Sequence, residues 1–268
     1  MKKALTAWGC CGMLLLLMKN NPHLRFSSPN AKIAFPSFSI PAGHTCPGAY
    51  NCLTKRIDGK VVDLQKKDKH SEYYRCYAVS QEVVYKSLAK KLDDNFALLR
   101  GKTCSKMVEL IRNSLNNDKE TRALVLGGGA LRVHIHGDFF SYDYLKAWFK
   151  IADLFPRIRF YSYTKSLQYL KRWKDEFGEF PSNYSLTWSK GSKFDNLGNV
   201  LGIKSVTVVT DEEEAKALGL EVDHDDTHAL NGDEDFALEP HGTMPKGHPW
   251  GKAIIEKRKQ GKFAGYHK

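Results

Sequence analysis

Three cysteines carry the most specific chemistry in this chain of 268 residues. Cys46 and Cys52 bracket the loop Cys46-Pro47-Gly48-Ala49-Tyr50-Asn51-Cys52, where proline and glycine favour an ordered turn over helix or strand. Only five residues separate the two, so both sulfurs can converge on one ion or cluster. Cys76 follows after an excursion of 23 residues, at the start of a helical stretch. Thiolates are soft ligands that suit zinc and iron–sulfur clusters. Three of them leave one position open. On zinc it goes to His44, His70 or water; on a four-iron cluster it leaves one iron free for a substrate or cofactor. A buried, inert thiol is the ordinary alternative for each, and it is the reading for Cys104.

A second constellation lies in residues 131–140, LRVHIHGDFF. Alternation reads this as a buried strand with His134 and His136 on one face and Val133 and Ile135 on the other. It ends abruptly in Gly137-Asp138. An amphipathic helix is predicted over residues 142–154, with Leu145, Trp148, Phe149 and Ala152 at helical spacing. A further strand is predicted over 158–163. Strand, helix and strand in about thirty residues form a βαβ unit with parallel neighbours. Ligands of such sheets bind beyond the carboxyl ends of the strands. Asp138, Thr164, Lys165, Ser189, Lys190 and His241 are all expected there. Asp138 would orient a polar group, and Lys165 and Lys190 would hold a carboxylate or phosphate. Each is otherwise a solvated loop residue or a helix cap.

The elements around these residues complete the pattern. Residues 76–100 and 104–116 read as two long helices. After the central unit come a helix over 166–176, strands over 183–189 and 204–209, a helix opened by Asp211, and a short strand over 235–239. The fold class is therefore α/β: a run of βα units forming a parallel sheet or incomplete β/α barrel. A cysteine-bearing loop segment and two long helices precede the run. Residues 40–268 form the single domain, and 1–39 are a leader and extended arm. The segment VDHDDTH is rich in possible ligands: His224 and His228 would share a face if helical, beside Asp225 and Asp226. A solvated acidic turn is the alternative. Gly127-Gly128-Gly129 precedes a strand rather than following one, so it does not meet the dinucleotide fingerprint and reads as a flexible entry loop.

Net charge is +11 and the pI about 9.2. This fits either a solvated basic surface or an anionic partner, so a small molecule or a nucleic acid is the expected ligand. Residues 4–18 are apolar but too short to span a bilayer as a helix, and no cleavage site of the A-x-A type follows. Residues 1–17 are expected to lie outside the fold, with translation starting at Met18 and no membrane partner.

Four blocks together resemble the phage gene product 88 family, which is common in tailed phages: TCPGAYNC with RCYA, RVHIHGDFFSYDYLKAWFKIA, FYSYTKSL, and HDDTHAL followed by HGTMPKG. The resemblance covers the chain from about Phe26 onward and implies a phage protein acting in the host cytoplasm. A more distant similarity is to radical SAM-like phage proteins. It implies that Cys46, Cys52 and Cys76 ligate an iron–sulfur cluster with S-adenosylmethionine at its open iron, and that Gly137-Asp138 meets the cofactor. The C-x5-C spacing departs from the C-x3-C-x2-C loop of those enzymes. His134-Ile135-His136 is also similar to the metal grip of rolling-circle replication endonucleases, which implies DNA nicking with Tyr161 or Tyr163 as nucleophile. A third expectation is a zinc-stapled binding module in which the cysteines only hold the amino-terminal segment onto the sheet.

Overall fold

Runs of β-branched and aromatic residues form the strands of the molecule. The computed structural model describes residues 22–30, 33–50, 54–58, 60–63, 76–240, 244 and 247–262. Its strands are β1 (Ser37–Phe38), β2 (Thr54–Ile57), β3 (Lys60–Asp63), β4 (Gly129–Val133), β5 (Ile158–Thr164), β6 (Tyr184–Ser189), β7 (Ser205–Val208), β8 (Glu221–Val222) and β9 (Phe236–Leu238). Its helices are α1 (Tyr77–Val84), α2 (Lys86–Leu99), α3 (Cys104–Asn117), α4 (Arg122–Gly127), α5 (Tyr142–Leu154), α6 (Leu167–Phe177), α7 (Gly198–Leu201), α8 (Glu212–Ala217), α9 (Thr227–Asn231) and α10 (Pro249–Lys259).

Seven strands make one sheet in the order β1-β4-β5-β6-β7-β9-β8, and every neighbouring pair is parallel. β2 and β3 form a separate antiparallel hairpin. From β4 to β7 the order advances without reversal, so right-handed crossovers put their helices on one face. On that face Trp148 and Phe149 of α5 and Leu170 and Trp173 of α6 pack with Leu131, Val133, Phe160 and Leu186. α5 is well specified: Ser141 caps it by accepting the Tyr144 N–H at 3.2 Å, and Asp143 lies in its first turn. The opposite face has a smaller core, in which Ala130, Tyr161, Val206 and Phe236 meet Ala229 and Leu230 of α9.

The expected α/β class with a parallel sheet is the one observed, and it is an open sheet. Several details differ. The strand expected over 131–140 ends at Val133, because His134 turns left-handed at φ 75° and Gly137 at φ 77°. The single helix expected from Cys76 is broken at Tyr85 (φ −100°, ψ 90°), after the run Val83-Val84 of weak helix formers. The arm is part of the domain: Leu24, Phe26 and Phe38 are in the main core, and β1 pairs with β4. Buried Asn95 holds the arm through Arg25 N–H, Arg25 C=O and Ser39 C=O. The three glycines are ordered: Gly128 caps α4 at φ 83° and donates to Leu124 C=O at 2.8 Å. Met18, residues 1–17, Cys52, His70 and His241 lie outside the described residues. Among the described residues no helix is long and apolar enough to cross a membrane.

Trp148 is fully buried, whereas Leu154 on the same helix is half exposed. Trp148→Ala should cost about 3–5 kcal/mol in urea unfolding. Leu154→Ala should stay within about 0.5 kcal/mol of the parent.

Candidate functional site

Residues 46–50 of the cysteine loop are laid across the carboxyl ends of β5 and β6. Gly48 sits so close to the Lys165-Ser166 backbone that a Cβ there would overlap the Lys165 carbonyl. Its own carbonyl accepts from Lys193 N–H at 2.8 Å and from Ser192 Oγ at 3.2 Å. Tyr50 N–H donates to Gly191 C=O at 3.1 Å, and the one Ser192 hydroxyl proton is shared between Gly48 C=O and the nearer Lys165 C=O at 2.6 Å. The preceding turn is equally tight. Cys46 N–H donates to Gly43 C=O at 3.0 Å, and the Thr45 hydroxyl donates to Pro41 C=O. Gly137 packs on this turn so tightly that a side chain would strike Ile40 and Thr45.

Cys76 stands directly before α1. Its neighbour Tyr77 donates to Ile135 C=O. Burial pushes the Tyr77 hydroxyl up to about 12, with Arg132 opposing and Cys76, Asp226 and Cys46 adding to the rise. Lys165 feels both thiols as well. Burial lowers its amine, and Asp195, Asp138, Cys76 and Cys46 counter that. Cys46 and Cys76, thirty positions apart in sequence, both lie within electrostatic reach of the half-buried Lys165 and Tyr77. Among the described residues no group of three or more His, Cys, Asp and Glu side chains is arranged to hold a metal ion. The third sulfur expected at this place, Cys52, lies outside them. His44 sets its ring edge against Phe96, with ring centres 4.9 Å apart.

Asp138, Thr164, Lys165, Ser189 and Lys190 do come together at the strand ends, but several of them hold backbone rather than face a ligand. Asp138 is buried and accepts from Thr164 Oγ1 at 2.7 Å, Lys165 N–H at 2.8 Å and Phe139 N–H at 2.7 Å. Burial raises its carboxyl above the usual range, against the pull of these donors and Ser166. Thr164, expected to bind substrate, is buried; it donates to Asp138 and accepts from Ser166 N–H at 3.0 Å. Lys165, expected to hold an anion, directs Nζ to Ser189 C=O at 2.9 Å and to Lys190 C=O. Lys190 extends its own amine over the Trp188 ring at 5.9 Å.

The histidine pair does not form. The left-handed turn at His134 breaks the alternation, and the two imidazoles enter different networks. His134 is buried against Phe139 and hydrogen-bonds Tyr144 OH through Nε2 at 3.0 Å. His136 lies 3.0 Å from Glu82 Oε1 through Nδ1 and 2.8 Å from Gln81 Oε1 through Nε2. The tyrosines expected as nucleophiles are engaged too: Tyr161 and Tyr163 donate to Asp226 at 3.1 and 3.2 Å.

The segment VDHDDTH staples the second face of the sheet. Asp226 is buried and forms a 2.6 Å ion pair with Arg132, whose guanidinium also lies over the Tyr163 ring at 4.6 Å. Asp225 accepts from Thr227 N–H at 3.0 Å, in the turn just ahead of α9. His224 and His228 share no helical face, because α9 begins only at Thr227. His224 is exposed, and His228 lies 3.0 Å from Glu221. Sequence reasoning missed Arg132, Tyr77 and Glu82. A charged residue inside an apolar strand was the available sign for Arg132.

Fold and site define a parallel α/β domain with the loop that follows Cys46 seated on its strand ends. The chain belongs to the gene product 88 family, whose sequence pattern matches residues 14–263. Two similar proteins are the Gene 88 protein of Mycobacterium phage D29, 30% identical over 90 residues, and that of Mycobacterium phage L5, 31% identical over 94 residues. Each match covers 34% of this chain and 38% of the relative, so the shared stretch spans well under half of either phage protein. No solved structure matches the chain.

Asp226→Ala should destabilise the fold by about 3–5 kcal/mol, because it leaves Arg132 buried and uncompensated. Arg132→Met/Asp226→Asn, which removes both charges and keeps a residue that tolerates the left-handed backbone, should recover much of that loss in the same urea measurement. His134 gives a pH signature. Burial first, then the Arg132 charge, lowers its imidazole from 6.5 to about 3, so the fold holds the neutral form. Its contribution is present above pH 6.5 and is lost as pH falls from 6.5 toward 3. In that window the unfolding free energy should fall with pH more steeply in the parent than in His134→Asn, by up to about 1.4 kcal/mol per unit. Asparagine is chosen because it tolerates the left-handed backbone. Equal slopes would refute the assignment.

Proposed function

We propose that the protein is a metal-dependent enzyme of the iron–sulfur, radical SAM-like kind, working in the infected host cell. One observation supports this most. The loop that follows Cys46 packs on the carboxyl ends of β5 and β6, where such folds bind their ligands, and Lys165 there lies within electrostatic reach of both Cys46 and Cys76. Soft sulfur donors in a protected, partly buried place are the donor chemistry an iron–sulfur cluster needs. Cys46 and Cys76 would hold the cluster together with Cys52. When bound, a cluster with one open iron supplies electron transfer to the group on that iron.

The rest of the work belongs to the chain. Gly48 and Ser192 seat the loop, so the Cys46 thiol keeps one orientation. Lys165 holds its amine on the Ser189 and Lys190 carbonyls at the same strand ends, and would put a positive charge within electrostatic reach of a thiolate-bound cluster. Tyr77 closes the site on the side of Arg132. Asp138 keeps the β4 and β5 ends together, so the floor under the cysteines is fixed.

The test is anaerobic purification with iron, sulfide and zinc analysis and electron paramagnetic resonance after reduction, with Cys76→Ala in parallel. Iron and sulfide in the parent and their loss in Cys76→Ala are expected. Stoichiometric zinc without iron would replace the enzyme with a zinc-stapled module. Neither metal would end the reading.

A further inference from the structure

Glu82 belongs to no motif, yet its side chain is fully buried on α1, six residues after Cys76. A carboxylate in such a place is costly unless it is paired and hydrogen-bonded. Oε1 accepts from the Ala42 N–H at 2.9 Å and from His136 Nδ1 at 3.0 Å. Oε2 accepts from Arg56 Nη2 at 2.6 Å. Burial alone would raise the carboxyl; His136, the Ala42 N–H and Arg56 outweigh it and hold the group below its usual value.

The three partners sit on three separate pieces of chain. Ala42 opens the turn that closes with Cys46 N–H on Gly43 C=O. A Cβ on Gly43 would overlap the Thr54 carbonyl, so that turn is also wedged against β2, the strand that carries Arg56. His136 stands two residues before Asp138, in the segment whose Ile135 and His136 N–H groups donate to Ser39 Oγ at 3.1 and 3.2 Å. Glu82 itself stands on the helix that begins directly after Cys76.

We infer that Glu82 is the positioning residue of the cysteine site: one buried carboxylate fixes the Cys46 turn against the Cys76 helix. It sets the separation and orientation of the two thiols and touches neither. The inference rests on the proposed function only for what the thiols hold; the positioning itself is a property of the metal-free chain.

The full chain is prepared reduced and metal-free as parent, Glu82→Gln and Glu82→Asp. Alkylation by iodoacetamide is followed at each cysteine by fragment-ion mass spectrometry. Cys104, at the start of α3, serves as the internal control. In Glu82→Gln the rates at Cys46 and Cys76 should change by at least about fivefold, the effect of roughly one kcal/mol, while Cys104 stays within twofold. Glu82→Asp keeps the charge but withdraws the oxygens; it should give the same pattern with smaller amplitude, and it stands in if Glu82→Gln does not fold. Unchanged rates at Cys46 and Cys76, or a change at Cys104 as large as theirs, would overturn the inference. Iron uptake is measured beside alkylation. Altered thiol rates in a chain that never takes up iron would leave the positioning standing and remove the metal. Equal iron uptake and equal rates in parent and variants would do the reverse.

Discussion

A parallel sheet must be covered on both faces, and here the crossover helices α5 and α6 lie on one of them. The other face carries Arg132, Tyr161 and Tyr163, a polar set that apolar packing alone cannot cover. Arg132 and Tyr161 are register partners on β4 and β5, so both approach the same point above the sheet. Asp226 meets them there with one carboxylate, adopting a left-handed backbone at φ 67° to do so. The short segment around α9 is thereby held over the sheet by charge and hydrogen bonds as much as by Ala229 and Leu230. Tyr77, directly after Cys76, donates to Ile135 C=O and sets its ring 6.2 Å from that of His136, so the start of α1 is tied to the segment that leaves β4.

The charged side chains of this region share a habit. Asp138, Asp226, Lys165 and Glu82 each bind two or more groups of the chain itself. Such groups are poor candidates for direct contact with a ligand and good ones for fixing the geometry of neighbours. The cysteine loop profits from this arrangement. It has little regular structure, and its shape is enforced by Gly48 against Lys165, Gly43 against Thr54 and Gly137 against Ile40. Two of these glycines, Gly43 and Gly137, also occupy φ values near 99° and 77° that other residues adopt with strain.

Much of the fold was legible in the chain. The span of α5 was read to the residue because Ser141, Asp143 and the Leu145-Trp148-Phe149-Ala152 stripe agree. β5, β6 and β7 were placed within a residue or two because buried parallel strands leave continuous β-branched and aromatic runs. The site was less legible, because alternation assumes an unbroken strand and His134 breaks it. Asp138, Thr164 and Lys165 were correctly placed at the strand ends, but their partners come from other segments and are invisible locally. Glu82 is instructive. It shares a helical face with the buried Ala78 and Val79 at spacings of four and three, a sign that it points inward. Nothing in the local sequence names Arg56 and His136 as the groups that make its burial tolerable.

The pairing of β1 with β4 bears on how the molecule assembles. Ser37 and Phe38 must find Arg132 and Val133 across on the order of ninety residues, while β4 through β7 join through short βα units. Closing a loop of that size carries an entropy cost that local contacts avoid, and non-local pairing of this kind is slow. The central strands can therefore collapse onto α5 and α6 first, with the arm and the turn behind it docking onto a finished edge. Cys46 travels with that late-docking stretch. The cysteine site is then the last part of the molecule to take shape, and its two halves meet only when the sheet beneath them is already folded.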